Sequence, residues 1–210
     1  MRIPFNSIIQ FVAHQCTKYN IDESHSLNHA MCVLNYSKQI YDTEVKITPY
    51  LYDHKHLIYT SALLHDTCDS KYTDEINSIN EIKEFLFDNY YSDTDTNVII
   101  DIITKMSYHK IKKSGFPDLK NYTRAFHVVR EADLLAGYDF NRALLYGMNM
   151  MDMDFENSFY ASKKLFYERM DKQISDNLFT TQFAINHAKE FCEKERNNIL
   201  VYESLIKDKK

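Results

Sequence analysis

His65 and Asp66 stand side by side at the end of the apolar run Leu63-Leu64. Asp69 follows four residues after the histidine, and Lys71 two residues after that. A neutral imidazole and a carboxylate are the two side chains that together suit a borderline divalent cation. A single His-Asp pair is also what a solvated helix end looks like, so its weight depends on partners elsewhere. His29 is one, on a helical stretch where His25, four residues earlier, shares its face. Asp133 is another, set in Arg130-Glu131-Ala132-Asp133-Leu134-Leu135-Ala136 amid the strongest apolar run of its helix. A carboxylate buried there is costly unless it is paired or metal-bound. An ion pair with Arg130, three residues back, is the competing explanation.

Those residues need elements to carry them, and the spacing of apolar residues supplies helices. Ile8, Ile9, Val12, Cys16 and Tyr19 predict a helix over Asn6 to Tyr19, capped by Asn6 or Ser7. A second starts at Ser24 or Ser26 and runs to about Tyr41. Thr48-Pro49 opens a third, Tyr50 to Asp66, which ends at the His-Asp pair. Thr73-Asp74-Glu75 caps a fourth that continues to Tyr90. Further helices are expected over Thr96–Lys110, Leu119–Ala136, Phe140–Met151, Glu156–Ile174 and Asn177–Ile206, with Gly137 closing one and Asp176 capping the last. Ser114-Gly115-Phe116-Pro117-Asp118 is the clearest loop.

The expectation is one all-α domain spanning residues 1–210, with about eight to nine helices. Only 3 glycines and 3 prolines are present, too few for the tight turns of an all-β fold. The balance of 44% apolar and 26% charged residues is that of a globular protein. A net charge of −5 speaks against non-specific nucleic acid binding, which depends on neutralising phosphates. The four scattered cysteines, Cys16, Cys32, Cys68 and Cys192, read as reduced thiols. With no long apolar span and no leader-like core at Met1 to Asn6, a soluble cytoplasmic protein with no membrane partner is expected.

The ordered set His29, His65-Asp66 and Asp133 resembles the HD-domain metal-dependent phosphohydrolases. Ser24 to Val33 is similar to the family's first motif, in which the second histidine is the ligand. Leu63 to Tyr72 is similar to the second motif of a small bacterial-type branch, His-Asp-x-x-Asp-x-Lys-aromatic. Val128 to Ala136 resembles the Asp-bearing motif, and Asn141-Arg142-Ala143 the arginine that follows it. The resemblance covers residues 20–145 and leaves the helices from about 156 to 207 outside it; these could cover the site or make a homodimer. Glu131 stands where that branch carries aspartate, and Leu135 and Gly137 replace more polar residues.

The resemblance implies a single divalent transition metal ion on His29, His65, Asp66 and Asp133. Two imidazoles and two carboxylates would nearly neutralise such an ion and leave positions for water and a phosphate oxygen. Mn, Fe, Co, Ni and Zn all suit that donor set, whereas Mg suits it less. The cation would acidify a water. Asp69 is the candidate to align or deprotonate it, and Lys71 the candidate phosphate clamp. Arg142 would reach a second phosphate. His25 would act as a general acid or as a donor to the site, with a partly buried helix-start histidine as the alternative. His109, beside Lys110, Lys112 and Lys113, would lie over a substrate's phosphates, or simply form a solvated helix end. Tyr72 and Tyr108 are candidates to stack on a base. Asp53, His54 and His56 read as surface, and Met148, Met150, Met151 and Met153 as core filling.

The implied substrate is a small phosphate ester, with a nucleotide first. Hydrolysis of a nucleoside triphosphate to monophosphate and pyrophosphate is favoured; a 5′-nucleotidase or cyclic-nucleotide phosphodiesterase would use the same centre. A non-catalytic nucleotide-sensing module is the reading from another class.

Overall fold

The computed structural model describes residues 2–207, apart from the side chains of residues 171, 174 and 175. Its ten α-helices are α1 (Phe5–Lys18), α2 (Leu27–Ile47), α3 (Lys55–Leu64), α4 (Glu75–Asp88), α5 (Asp93–Lys105), α6 (Tyr108–Ser114), α7 (Thr123–Ala136), α8 (Phe140–Met150), α9 (Phe155–Ser175) and α10 (Gln182–Lys207). Two 3-10 turns, Pro49–His54 and Lys120–Tyr122, lead into α3 and α7. The described residues contain no strand, and no helix among them is long and apolar enough to cross a membrane. All four cysteines are free thiols.

Every residue of α3 from Leu57 to Leu64 is buried. A helix apolar all round must lie inside its domain, and α3 does: it packs against α2 and α7 on one side and α1 and α5 on the other. The larger core joins Val33, Ile58, Ala62, Phe126 and Val129 across α2, α3 and α7. The smaller core gathers Ile8, Leu57, Leu63, Ile82 and Ile99 from α1, α3, α4 and α5. α3 belongs to both, so its C-terminal end is held from two directions.

α8 and α9 form a hairpin set against this body, and Gly147 permits their close approach. A Cβ at that position would lie 2.3 Å from Ser158 Oγ, whose hydroxyl donates to the Leu144 carbonyl at 2.7 Å. α10 then returns across α2 and α7.

Several boundaries differ from the sequence expectations, each for a local reason. α1 begins at Phe5, directly after Pro4, and no side chain caps it. α2 continues past Tyr41 to Ile47, because Glu44, polar but fully buried, forms part of its packed face. α5 stops at Lys105, and a separate α6 follows, since Ser107 Oγ accepts from the Lys110 amide and restarts the helix. α10 begins at Gln182; Asp176 does not cap it, but accepts from the Tyr108 hydroxyl at 2.8 Å. Thr181 caps it instead, its Oγ1 accepting from the Ala184 amide at 3.4 Å. Met150 and Met151 are exposed rather than core filling, while Met148 packs against the core. Asp53 is exposed as read, but His54 and His56 are half-buried, and His56 Nε2 lies 3.3 Å from Asp95 Oδ2.

Candidate metal centre

Three elements bring the donors together. His29 stands in the first turn of α2, His65 and Asp66 directly follow α3, and Asp133 lies in the last turn of α7. His29 Nε2 is 3.1 Å from His65 Nε2, 3.2 Å from Asp133 Oδ1 and 3.5 Å from Asp66 Oδ2. His65 Nε2 is 3.2 Å from Asp66 Oδ2 and 3.6 Å from Asp133 Oδ1. Donors bound to one ion at about 2.1 Å are spaced about 3.0–3.4 Å apart, so these separations are those of a coordination sphere. His29, His65 and Asp133 form a group that could hold a metal ion.

Further observations fit a cation. His65 Nδ1 lies 2.9 Å from the Ala62 carbonyl, which can only accept, so the ring turns Nε2 towards the donors. Asp66 Oδ2 is buried without a hydrogen-bond partner among the described residues. Burial alone would lower the pKa of His65, yet Asp66 and Asp133 outweigh it and raise it to about 10. The pKa of Asp133 is held well below the usual carboxylate range: burial opposes this, and His29 and His65 prevail. Burial lowers the pKa of His29. One proton thus sits among four donors, in the place where a metal ion would carry more charge.

Asp133 is less buried than its apolar neighbours suggested. Its side chain is 29% exposed, and it opens into a cleft of about 460 Å³. Arg130 turns away, pairing with Glu131 at 2.9 Å. No protein-family model matches the chain, and no curated protein or solved structure does.

The cleft is also lined by Asp69, Lys71, His25 and Arg142. Asp69 Oδ1 accepts from the Lys71 amide at 2.9 Å, and its Oδ2 lies 3.3 Å from the Lys71 ammonium. Arg142 Nε donates to the Ser24 carbonyl, and its Nη2 lies 3.7 Å from Asp66 Oδ2. His109 lies elsewhere: it is exposed in the first turn of α6, where Ser107 and Tyr108 face the cleft instead. Leu135 is buried in the core, so Leu134 and Gly137 line the cleft beside Asp133.

His25 is the end of a short chain of hydrogen bonds. The Tyr72 hydroxyl donates to Asp22 Oδ2 and lies 2.9 Å from His25 Nδ1. A carboxylate only accepts, so the one phenolic proton goes to Asp22. The Ser24 hydroxyl also reaches His25 Nδ1, at 2.6 Å, so that nitrogen is held between two hydroxyls. Burial lowers the pKa of His25 to about 4; Asp66 opposes this, while Arg142 and Lys71 add to it. Tyr72 serves this chain rather than a stacking face, and Asp22 was invisible as a member of it. Tyr146, Arg169 and Gln173, from α8 and α9, also line the cleft without having drawn notice in the sequence. The only trace they leave is the four-residue spacing of Arg169 and Gln173 on one helical face.

A larger groove of about 1110 Å³ lies at the start of α1, lined by Phe5, Met31, Lys55 and Tyr59 among others. No carboxylate or histidine lines it, so size and chemistry are separated in this molecule.

Proposed function

We propose that the protein is a metal-dependent phosphohydrolase of the HD-domain type, acting on a small phosphate ester and first of all on a nucleotide. The observation that carries this reading is the convergence of His29, His65 and Asp133, with Asp66 Oδ2 3.5 and 3.2 Å from the two imidazoles and both carboxylates lining an open cleft. Asp66 is the fourth ligand of the set. A divalent cation there supplies Lewis acidity, acidifying water and neutralising phosphate charge. Mn, Fe, Co, Ni and Zn are the candidates.

The chain's own groups take the remaining roles. Asp69 aligns the attacking water, while Lys71 and Arg142 offset charge on the phosphoryl oxygens. Water forms the new bond to phosphorus as the bond to the leaving group breaks. With a nucleoside triphosphate the products are the monophosphate and pyrophosphate, the favoured reaction. A 5′-nucleotidase would release phosphate, and a cyclic-nucleotide phosphodiesterase would open its ring on the same centre. His25 serves as a general acid or as a donor to the site.

The pairing of Asp69 with Lys71 favours a second reading, a nucleotide-sensing module without turnover, since a carboxylate engaged by an ammonium and an amide has fewer lone pairs left to align a water. Supplying Mn²⁺ or Co²⁺ with a panel of nucleotides, and measuring phosphate and pyrophosphate release, separates the two. Binding without cleavage selects the sensor, and failure of the folded protein to cleave any phosphate ester with any of the five metals overturns the enzyme.

A further inference from the structure

The cleft has two kinds of wall. One side, with Asp66 and Asp133, belongs to the turn after α3, the end of α7 and the segment before α2, whereas another wall belongs to α9. Arg169 and Gln173 lie four residues apart on α9, so they share a face, and both line the cleft.

Neither side chain is accounted for by the fold. Gln173 is 8% exposed, and its Oε1 is buried with no hydrogen-bond partner among the described residues. A buried amide oxygen without a donor is costly unless a ligand or water supplies one. Arg169 reaches solvent within the cleft and has no hydrogen bond or ion pair among the described residues. Its surroundings and the like charge of Arg142 lower its pKa, and Asp133 opposes them. A guanidinium stays charged regardless. Asp66 and Asp133 offset part of the repulsion between the two guanidinium groups, and a phosphoryl group in the cleft matches their planar donor forks.

We infer that the α9 face is the recognition wall of this site: Arg169, with Arg142, holds a phosphoryl group of the ligand, and Gln173 Oε1 accepts a hydrogen bond from its organic part. The ligand class is a phosphate ester whose other half carries hydroxyl or amino donors, which a nucleoside phosphate satisfies. This rests on the phosphohydrolase reading for the nature of the ligand, but not on turnover.

The test is calorimetric titration of the Mn²⁺-loaded full-length chain with two probes, inorganic pyrophosphate and adenosine 5′-(α,β-methylene)triphosphate. Arg169→Gln weakens both by about 10- to 100-fold, the range of a charge-assisted hydrogen bond. Arg169→Lys recovers part of the loss, because it keeps the charge but not the fork. Gln173→Leu weakens only the nucleotide analogue, several-fold, and leaves pyrophosphate unchanged. Melting temperatures stay at the wild-type value, since neither side chain is bonded to another among the described residues. The inference is overturned if wild type binds neither probe, if Arg169→Gln binds both as tightly as wild type, or if Gln173→Leu weakens both probes equally. Turnover measured alongside keeps the two readings apart: Arg169-dependent binding without hydrolysis leaves the wall standing and removes the enzyme. Hydrolysis with unaltered Arg169→Gln binding does the reverse.

Discussion

Glu131 and Asp133 stand two residues apart on α7 and live in opposite circumstances. Glu131 is fully buried and saturated. It accepts from the amides of Thr180 and Thr181, each at 2.8 Å, from their hydroxyls at 2.7 and 2.6 Å, and from Arg130 at 2.9 Å. Asp133 is part-exposed, and its ion-pair partners among the described residues are imidazole nitrogens, 3.2 and 3.6 Å away. Two faces of a single helical turn therefore carry a carboxylate that finishes the fold and a carboxylate that the fold leaves unfinished. The kind of partner, far more than burial, separates the two: amides, hydroxyls and a guanidinium for Glu131, ligand-type imidazoles for Asp133.

The comparison breaks most sharply by removing each acid in turn. Asp133→Asn is expected to reduce phosphate-ester turnover by more than about 100-fold, since even residues that merely support a ligand cost 10- to 100-fold. Metal content, measured on the purified variant, falls with it, and the fold survives. Glu131→Ala is expected to do the opposite. It strands Arg130 and two amides in the interior and costs about 3–5 kcal/mol, the range for breaking a buried pair. Denaturant unfolding would register that cost, while metal content is kept. If both variants lose metal but not stability, the division of labour is wrong.

A pH series sharpens the same contrast. His127, on the Glu131 side, has its pKa lowered to about 3 by burial, with Arg130 and Arg124 adding to it. Its unfolded value is about 6.5, so the unfolded chain takes up the proton first, and stability falls as pH drops below about 6.5. His65, on the Asp133 side, is raised to about 10. Its contribution is full below about pH 6.5 and is lost as pH climbs towards 10. Melting curves with and without Mn²⁺ should show the metal flattening the alkaline limb alone, because the ion replaces the His65 proton. Equal flattening of both limbs would contradict the assignment.

Smaller effects follow from the supporting groups. Gly147→Ala pushes α9 away from α8 and should cost about 1–3 kcal/mol, with weaker ligand binding at Arg169 as its second readout. Tyr72→Phe removes the group that orients His25 and should lower turnover about 10-fold with metal retained; an unchanged pH profile of turnover would show that the Asp22–Tyr72–His25 chain is idle.

The all-helical architecture was legible because apolar spacing and scarce glycine leave little else. His29, His65, Asp66 and Asp133 were legible by residue type, and Asp133 by being an acid among apolar neighbours. What hid the rest was polar burial. Glu44 and Ser37, fully buried on α2, break the apolar spacing that would have carried that helix to Ile47. Ser107 restarts a helix without the glycine or proline that usually announces a break. Glu131 looked like a near neighbour of site chemistry, because nothing in its own stretch points to Thr180 and Thr181, about fifty residues on. Arg169 and Gln173 were hidden by the same distance: a polar helix face reads as solvated until the neighbour across the cleft is known.

Glu44 also receives the Gln182 amide at 2.7 Å and the Arg124 guanidinium. The turn between α9 and α10 is therefore riveted to two older helices by acids whose only other ionic partners are Arg124 and Arg130 among the described residues. During synthesis, every residue through Asp133 leaves the ribosome long before Thr180. The nascent chain must hold two interior acids short of most of their partners until that turn arrives, so completion of α7 waits on a segment that carries none of the metal-ligand candidates.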